Sequence, residues 1–377
     1  MKEINQLDLF SGIGGFHKGF ERAGYKVNSY FSEVDKHAIA VYKHQFKDST
    51  YVGSVTDVRG GDLPRIDLIT FGSPCQDFSQ AGSRRGLTGD RSSLIAEAIR
   101  LIGECRPRVF IWENVKGAFS SNDGADFAAI LQAFANIGGY RLEWQLLNTS
   151  WFLPQNRERV YLVGHLAEAR GDWGGVFPIT TGTGQDISIQ GHHPRANTLT
   201  ARYTGNANGS FIGECKQPTQ EVKVGTWRTH KDGQGFREVK GGDCPTIPAT
   251  AREDGSGQPV IKVKSATSTG YDLATEGDSI NLTAINSITR RERVGKQKAE
   301  TLDTLCEQAV VEPTYRIRRL TPIECERLQG FPDNHTQYGI YDGEVKEMSN
   351  TQRYKQCGNA VTVDVVQAIA ERLKPIL

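Results

Sequence analysis

Up to about His165, short apolar runs alternate with stretches of helical spacing. Gln6–Leu9, Val27–Phe31, Ile66–Phe71, Arg108–Trp112, Leu142–Leu147 and Val160–Val163 are rich in apolar or β-branched residues, as buried strands are. Between several of them, Phe16–Ala23, His37–Gln45, Ser92–Cys105 and Asp126–Ile137 repeat their apolar positions every three to four residues. This alternation predicts an α/β fold, a Rossmann-like and mostly parallel sheet with helices on both faces.

The pattern changes after Ala167. To about Pro313 the chain is rich in Gly, Thr and charge, with short strands and no long helical period. Two stretches there, Pro194–Ile212 and Pro245–Ile261, share a Thr- and Ala-rich core followed by a glycine turn and a strand, which reads as a faint duplication of a β-rich unit. The α/β character resumes near Arg316 and ends in a helix-like tail, Asp364–Leu373, expected to fold back on the first unit. The division predicted is 1–167, a smaller β-rich unit over 168–315, a segment over 316–356 and a returning segment over 357–377.

With 377 residues the chain is long enough for two domains. Its net charge of +1 announces no polycation, so any surface for nucleic acid must be local. No run approaches the roughly 18 apolar residues of a membrane span, and Met1-Lys2-Glu3-Ile4-Asn5 opens no signal-peptide core. The seven cysteines include no C-x-x-C pair, which fits neither a zinc site nor a disulfide framework. No metal, no membrane and a reducing, cytoplasmic setting are the expectations.

Candidate chemistry gathers where strands end. Gly72-Ser73-Pro74-Cys75-Gln76-Asp77-Phe78-Ser79 sets Cys75 in a proline turn just past an apolar run. Ligands and nucleophiles collect at such places in open α/β sheets. A lone cysteine is most often a small buried hydrophobe; near cations such as Arg157 and Arg159 its thiolate is a nucleophile. Asp8-Leu9-Phe10-Ser11-Gly12-Ile13-Gly14-Gly15-Phe16 joins a strand to a helix through glycines that let a ligand approach the backbone. Phe10 could stack on a purine, and the carboxylate of Glu33-Val34-Asp35, roughly 20 residues on, suits a ribose diol. No Gly-Lys-Ser/Thr follows for a triphosphate, so a phosphate-free nucleoside such as S-adenosylmethionine fits best. Glu113, closing another strand, is a candidate acid or hydrogen-bond partner, and Gln155-Asn156-Arg157-Glu158-Arg159 alternates two cations for base or phosphate oxygens.

Taken together, these blocks resemble the DNA cytosine-C5 methyltransferases of prokaryotes and phages. The Pro-Cys-Gln loop, the glycine loop, Glu113-Asn114-Val115 and the Gln-x-Arg-x-Arg segment occur in the family's order. So do Arg318-Arg319-Leu320-Thr321-Pro322, Leu328-Gln329-Gly330-Phe331-Pro332-Asp333 and Gln356-Cys357-Gly358-Asn359-Ala360-Val361. The match covers about the first 165 and the last 60 residues. One departure is Gly53-Ser54-Val55-Thr56-Asp57, where the family usually places an acid against the adenine; either Ser54 or Asp57 takes that role here. The resemblance implies S-adenosylmethionine as cofactor, held by Asp8, Phe10, Gly12, Gly14, Gly15, Glu33, Val34, Ser54, Val55, Pro74, Asn359 and Ala360. It implies Cys75, Glu113, Arg157 and Arg159 as catalytic residues and duplex DNA as substrate, its target cytosine flipped out of the stack. Asn359 is expected to tie the final motif to the catalytic loop.

The region about 168–315 stands where the family has its target-recognition domain. Its candidate DNA contacts are Arg195, Arg202, Arg228, Arg237 and Arg252, with His230 and Lys231 beside them, and Gln76, Ser79 and Arg157 of the first unit are further candidates. The resemblance further implies a cytoplasmic, nucleoid-associated monomer, and leaves room for a separately acting restriction endonuclease. Two alternatives stay open: an RNA cytosine methyltransferase on the same scaffold, disfavoured by the missing Cys-Phe-Thr motif and the long variable region, and a silent DNA-binding protein; the missing Thr-Cys disfavours the unrelated RNA methyltransferases. The Asp/Asn/Ser-Pro-Pro-Tyr/Phe motif of amino methylation is missing as well.

Overall fold

β1 (Lys2–Leu9) is an inner strand of the main sheet and buries Ile4, Leu7 and Leu9 together with the polar Gln6 and Asp8. A strand buried on both sides needs cover on both, as parallel sheets provide. The computed structural model describes residues 1–72, 92–119, 125–166, 175–180, 222–228, 235–238, 259–283, 289, 291, 293–312 and 317–377. The chain runs from β1 through α1 (Gly15–Arg22), β2 (Tyr25–Ser32), α2 (Lys36–Gln45), β3 (Thr50–Tyr51) and β4 (Leu68–Gly72). It continues through α3 (Ser92–Cys105), β5 (Val109–Val115), α4 (Ala125–Asn136), β6 (Tyr140–Asn148), β7 (Gln155–Asn156) and β8 (Glu158–Leu166). The sheet order is β3-β2-β1-β4-β5-β8-β6, with the first five strands parallel and β8 antiparallel to both β5 and β6. Strand order reverses between β1 and β4, which opens a crevice at their carboxyl ends.

The predicted strands and helices are present, and Ser92–Cys105 coincides with α3. β1 starts earlier than its apolar run because Lys2 and Glu3, though exposed, still pair with Tyr25 and Lys26. α3 and α4 cover one face through Ile95, Leu101, Ile102, Phe127, Ile130 and Phe134.

Antiparallel strands follow: β9 (Val222–Arg228), β10 (Gly235–Glu238), β11 (Pro259–Lys264) and β12 (Tyr271–Ala274), in the order β10-β9-β11-β12. Then come β13 (Ser279–Asn281), β14 (Val294–Gly295), β15 (Ala299–Glu300), β16 (Gln308–Val311) and β17 (Ile317–Arg319). All but β15 form a second small sheet, β14-β13-β16-β17, and Ile261, Val263, Ala274, Ile280 and Val311 pack between the two. β15 instead pairs in parallel with β7, Ala299 against Gln155 and Glu300 against Asn156. The first of the two similar stretches, and most of the second, lie outside the described residues.

The remaining elements are α5 (Pro322–Leu328), the hairpin β18 (Tyr338–Tyr341) and β19 (Glu344–Glu347), α6 (Asn350–Asn359) and α7 (Val363–Arg372). Thr321 and Glu324 cap α5 reciprocally, with Pro322 opening the helix. In α7, Val365, Val366 and Ile369 pack with Phe16 and Phe20 of α1 on the face opposite α3 and α4. Gly19 permits that approach, since a Cβ there would overlap the Val366 side chain. Among the described residues no helix is long and apolar enough to cross a membrane.

Candidate active site at the carboxyl ends of β1, β4 and β5

The glycine turn after β1 is held by backbone groups. Phe10, Gly12 and Gly14 have φ of 51°, 54° and 82°, a left-handed path that glycine takes without strain. The Gly14 amide donates to the Ser11 carbonyl at 3.0 Å and the Ser11 amide to the Ser32 carbonyl at 3.1 Å. Glu33, just past β2, accepts from the Gly12 amide at 2.9 Å with one oxygen. The other accepts from the amides of Val34 and Asp35 at 2.7 and 3.0 Å. A carboxylate offers about four acceptor positions, so one remains for a hydroxyl donor.

The glycines divide by task. A Cβ on Gly12 would meet nothing within 4 Å, whereas one on Gly15 would sit 2.6 Å from Val361 Cγ2 and one on Gly14 would overlap the Phe46 ring. Gly12 is open towards a ligand; Gly14 and Gly15 serve packing. Val34 beside them is 77% exposed, an apolar side chain with no cover. An open glycine turn, a carboxylate with spare acceptor capacity and a bare apolar side chain fit a phosphate-free nucleoside such as S-adenosylmethionine.

Several expected cofactor residues lie beneath this surface. Asp8 is fully buried; Thr70 Oγ1 donates to its Oδ1 at 2.8 Å and the Tyr42 hydroxyl to its Oδ2 at 3.4 Å. Burial pushes its carboxyl up to about 8. Asp8 therefore braces β1 within the fold, where strand alternation puts it on the same covered face as Ile4 and Gln6. Val55 is buried, with its carbonyl taken by Arg100 at 3.3 Å. Ser54 is half-buried with its hydroxyl 3.0 Å from that of Thr56, and Asp57 is exposed, so the adenine-side question stays between those two. Phe10 is half-buried against the α3/α4 face.

On the other side of the crevice, Gly72 and Glu113 are paired at the ends of β4 and β5. A Cβ on Gly72 would come 3.1 Å from Glu113 Oε2, so this glycine leaves the carboxylate room. Arg159 of β8 places Nε 3.1 Å from Glu113 Oε1, with both side chains mostly buried. Arg157 does not share that position. It stands in the break between β7 and β8, where alternation fails, and its guanidinium donates to the carbonyls of Gly358 at 3.3 Å and Ala360 at 2.8 Å. At 3% exposure it holds the final motif in place, which differs from the base contact expected of it. Ala360 is buried there, while Asn359 is exposed.

A cleft of about 250 Å³ opens beside Arg159, lined in part by Lys116, Asn156, Glu158, Glu300 and Thr301. Gln308 fixes the last two: its Oε1 accepts from the Glu300 amide at 2.9 Å, and its Nε2 donates to the Glu300 and Thr301 carbonyls at 2.8 and 3.0 Å. Sequence reasoning missed Glu300, Thr301 and Gln308, which sit in a stretch with neither motif nor period. Lys116 could have been noticed, since it directly follows Glu113-Asn114-Val115.

Pro74, Cys75, Gln76 and Ser79 lie outside the described residues, as do Arg195, Arg202, His230, Lys231 and Arg252. Arg228 and Arg237 occupy neighbouring strands, opposite Gly235 and Thr226. Among the described residues no cluster of His, Cys, Asp and Glu is arranged to hold a metal.

The chain is 29% identical over 375 residues to the type II methyltransferase M.Bsp6I of Bacillus sp. (strain RFL6), covering 97% of this chain and 96% of the relative. It is 30% identical over 373 residues to the type II methyltransferase M.NlaX of Neisseria lactamica, covering 98% and 96%. Among solved structures it resembles a DNA modification methyltransferase encoded within an E. coli prophage, with a TM-score of 0.58 at 20% identity and 99% of each chain covered. S. pombe Dnmt2 methyltransferase matches with a TM-score of 0.55 at 16% identity, again over 99% of each chain. These structures speak for the fold. The description C-5 cytosine-specific DNA methylase matches residues 4–375, and the chain belongs to that family.

Proposed function

We propose that this DNA cytosine-5 methyltransferase acts on a cytosine flipped out of a short, specific duplex sequence, through a covalent bond from Cys75 to C6. The observation that carries this reading is the Glu113–Arg159 pair at the mouth of the crevice, beside the glycine that opens the Pro-Cys-Gln loop. A base inside a duplex hides its reactive face, and flipping it costs a few kcal/mol. Cys75 adds to C6 as a thiolate and makes C5 an enamine nucleophile. Glu113 hydrogen-bonds N3 and the exocyclic amine, favouring the protonated ring, while Arg159 holds Glu113 in place and faces the base O2. Once C5 carries the methyl group, loss of its proton to a base, with Cys75 leaving as thiolate, restores the aromatic ring.

When bound, S-adenosylmethionine supplies an electrophilic sulfonium methyl group. The residues suited to hold it are Gly12, Glu33 and Val34, with Phe10 and Ser54 or Asp57 at the edges. Arg157 acts indirectly by fixing Gly358 and Ala360. The region 168–315 reads the target sequence, supported by its separate antiparallel sheets and by the β15 contact beside Arg159.

Bisulfite sequencing of DNA from a methylation-free bacterial host expressing the chain, with Cys75→Ala as control, tests this. Protected cytosines in one fixed context, lost in the control, are expected. Full conversion at every cytosine with soluble protein present would overturn it.

A further inference from the structure

His335 is buried in the turn that follows α5, far along the chain from the glycine turn, yet its Nε2 lies 2.9 Å from the Ile13 carbonyl. That carbonyl can only accept, so His335 carries its proton on Nε2. Its Nδ1 is buried with no hydrogen-bond partner among the described residues, so a second proton there would have nothing to bond. Burial accordingly holds the imidazole down to about 4.

The ring is set from several directions. It stacks on Phe331 at 4.4 Å between centroids and meets Phe46 edge-on at 6.1 Å. Its own carbonyl accepts from Gln45 Nε2 at 2.6 Å. The buried Glu326 carboxylate fixes the turn on either side of it, accepting from the amides of Asn334 and Thr336 at 2.7 and 2.9 Å while paired with Arg353 at 2.9 Å.

Ile13 is flanked by Gly12 and Gly14, both at positive φ, and a peptide bordered by glycines reorients readily. The Ile13–Gly14 peptide unit is gripped at both edges. Its N–H donates to the Ser11 carbonyl at 3.0 Å and its C=O accepts from His335.

We propose that His335 is a positioning residue for the cofactor turn, locking the Ile13–Gly14 peptide in the orientation in which Gly12 faces the ligand. The inference rests on the reading that this turn holds S-adenosylmethionine. Nothing in the sequence marks His335 for the role, since the turn comes close to Ile13 only in the fold.

The test is calorimetric binding of S-adenosylhomocysteine to the full chain, alongside its affinity for a non-specific duplex. His335→Phe keeps the stack on Phe331 and removes the donor; His335→Gln keeps a donor near the Nε2 position. The Phe variant is expected to bind S-adenosylhomocysteine about tenfold more weakly, the loss that one hydrogen bond of ordinary strength represents, and the Gln variant to stay within about twofold of the parent. Duplex affinity stays the same in all three, a pattern that general loosening would not give. Nitrogen NMR should show His335 as a single neutral Nε2–H tautomer. If His335→Phe does not fold, His335→Asn, whose amide is too short to reach Ile13, takes its place. A Gln variant as weak as the Phe or Asn variant, or a Phe variant as tight as the parent, overturns the proposal. A parent chain that does not bind S-adenosylhomocysteine overturns the cofactor reading beneath it.

Discussion

The two sides of the crevice are built by different means. On the β1 side the turn is held by backbone amides meeting a carboxylate and by glycines pressed against aromatic and valine side chains. On the β5 side the decisive contact joins two side chains, Glu113 and Arg159, from neighbouring antiparallel strands. A backbone cradle is fixed by folding itself, whereas a buried ion pair is costly to desolvate and leaves an uncompensated charge when one partner is removed. Substitutions on the first side should therefore act through local fit and cofactor affinity, whereas those on the second should lower turnover and, through the charge left unpaired, stability as well.

The largest effect is expected at Glu113. Glu113→Gln keeps the shape and removes the charge that partners Arg159, and methyl transfer to duplex DNA should fall by about 10²–10⁴-fold. Affinity for S-adenosylhomocysteine should hold. Steady-state kinetics with labelled methyl donor measures the first and calorimetry the second; a matching drop in both would erase the distinction between the two sides.

Gly15→Ala comes next. Its Cβ would lie 2.6 Å from Val361 Cγ2 and 3.0 Å from the Val361 carbonyl, so the returning C-terminal segment must shift. Overpacking of this kind costs about 1–3 kcal/mol, readable by urea unfolding. Gly12→Ala is the counterpart, with open space over the new methyl, and its clearer sign should be weakened S-adenosylhomocysteine binding.

Asp8 adds a pH dependence to the β1 side. Its folded pKa of about 8 stands above the ordinary carboxyl value of 3.8, so between these limits the folded chain keeps a proton that the unfolded chain gives up. The contribution to stability is present below about pH 4, declines as pH rises and is lost once pH has passed about 8. Asp8→Asn, which keeps an acceptor for Thr70 and turns its amide towards the Tyr42 oxygen, should remove this slope, at most about 1.4 kcal/mol per pH unit. Thermal unfolding of both proteins at pH 6, 7 and 8 compares them; parallel curves would mean that Asp8 is ionised in the fold.

What the sequence made legible follows the same division. Short-range signals were sufficient for the α/β alternation, for the glycine turn and for Glu113 at a strand end, because strand ends and turns are written in neighbouring residues. Arg157 and Arg159 looked equivalent, since nothing local reveals the break between β7 and β8 that sends Arg157 to the carbonyls of Gly358 and Ala360. Asp8 looked like part of the turn because it is adjacent in sequence, while its burial depends on Thr70 and Tyr42 from other elements. His335 acts on Ile13, distant along the chain, and no local pattern carries such a contact; Gln308 reaches Glu300 and Thr301 only a few residues back, but across a stretch with no repeating pattern.

The smallest effect is expected at Lys116, whose ion pair with Glu158 spans 2.8 Å at the cleft beside Arg159. Both partners are exposed, and such pairs contribute about 0–1 kcal/mol, so Lys116→Met should hardly move the unfolding midpoint. The cation nevertheless lines the cleft that the proposed mechanism turns towards DNA. Removing one phosphate contact lowers the slope of log affinity against log salt by about 0.9. A salt titration of duplex binding thus separates two roles that stability cannot. A shallower slope makes Lys116 part of the DNA face, while an unchanged slope leaves it a surface partner of Glu158, with Arg159 the nearer candidate for the substrate's charge.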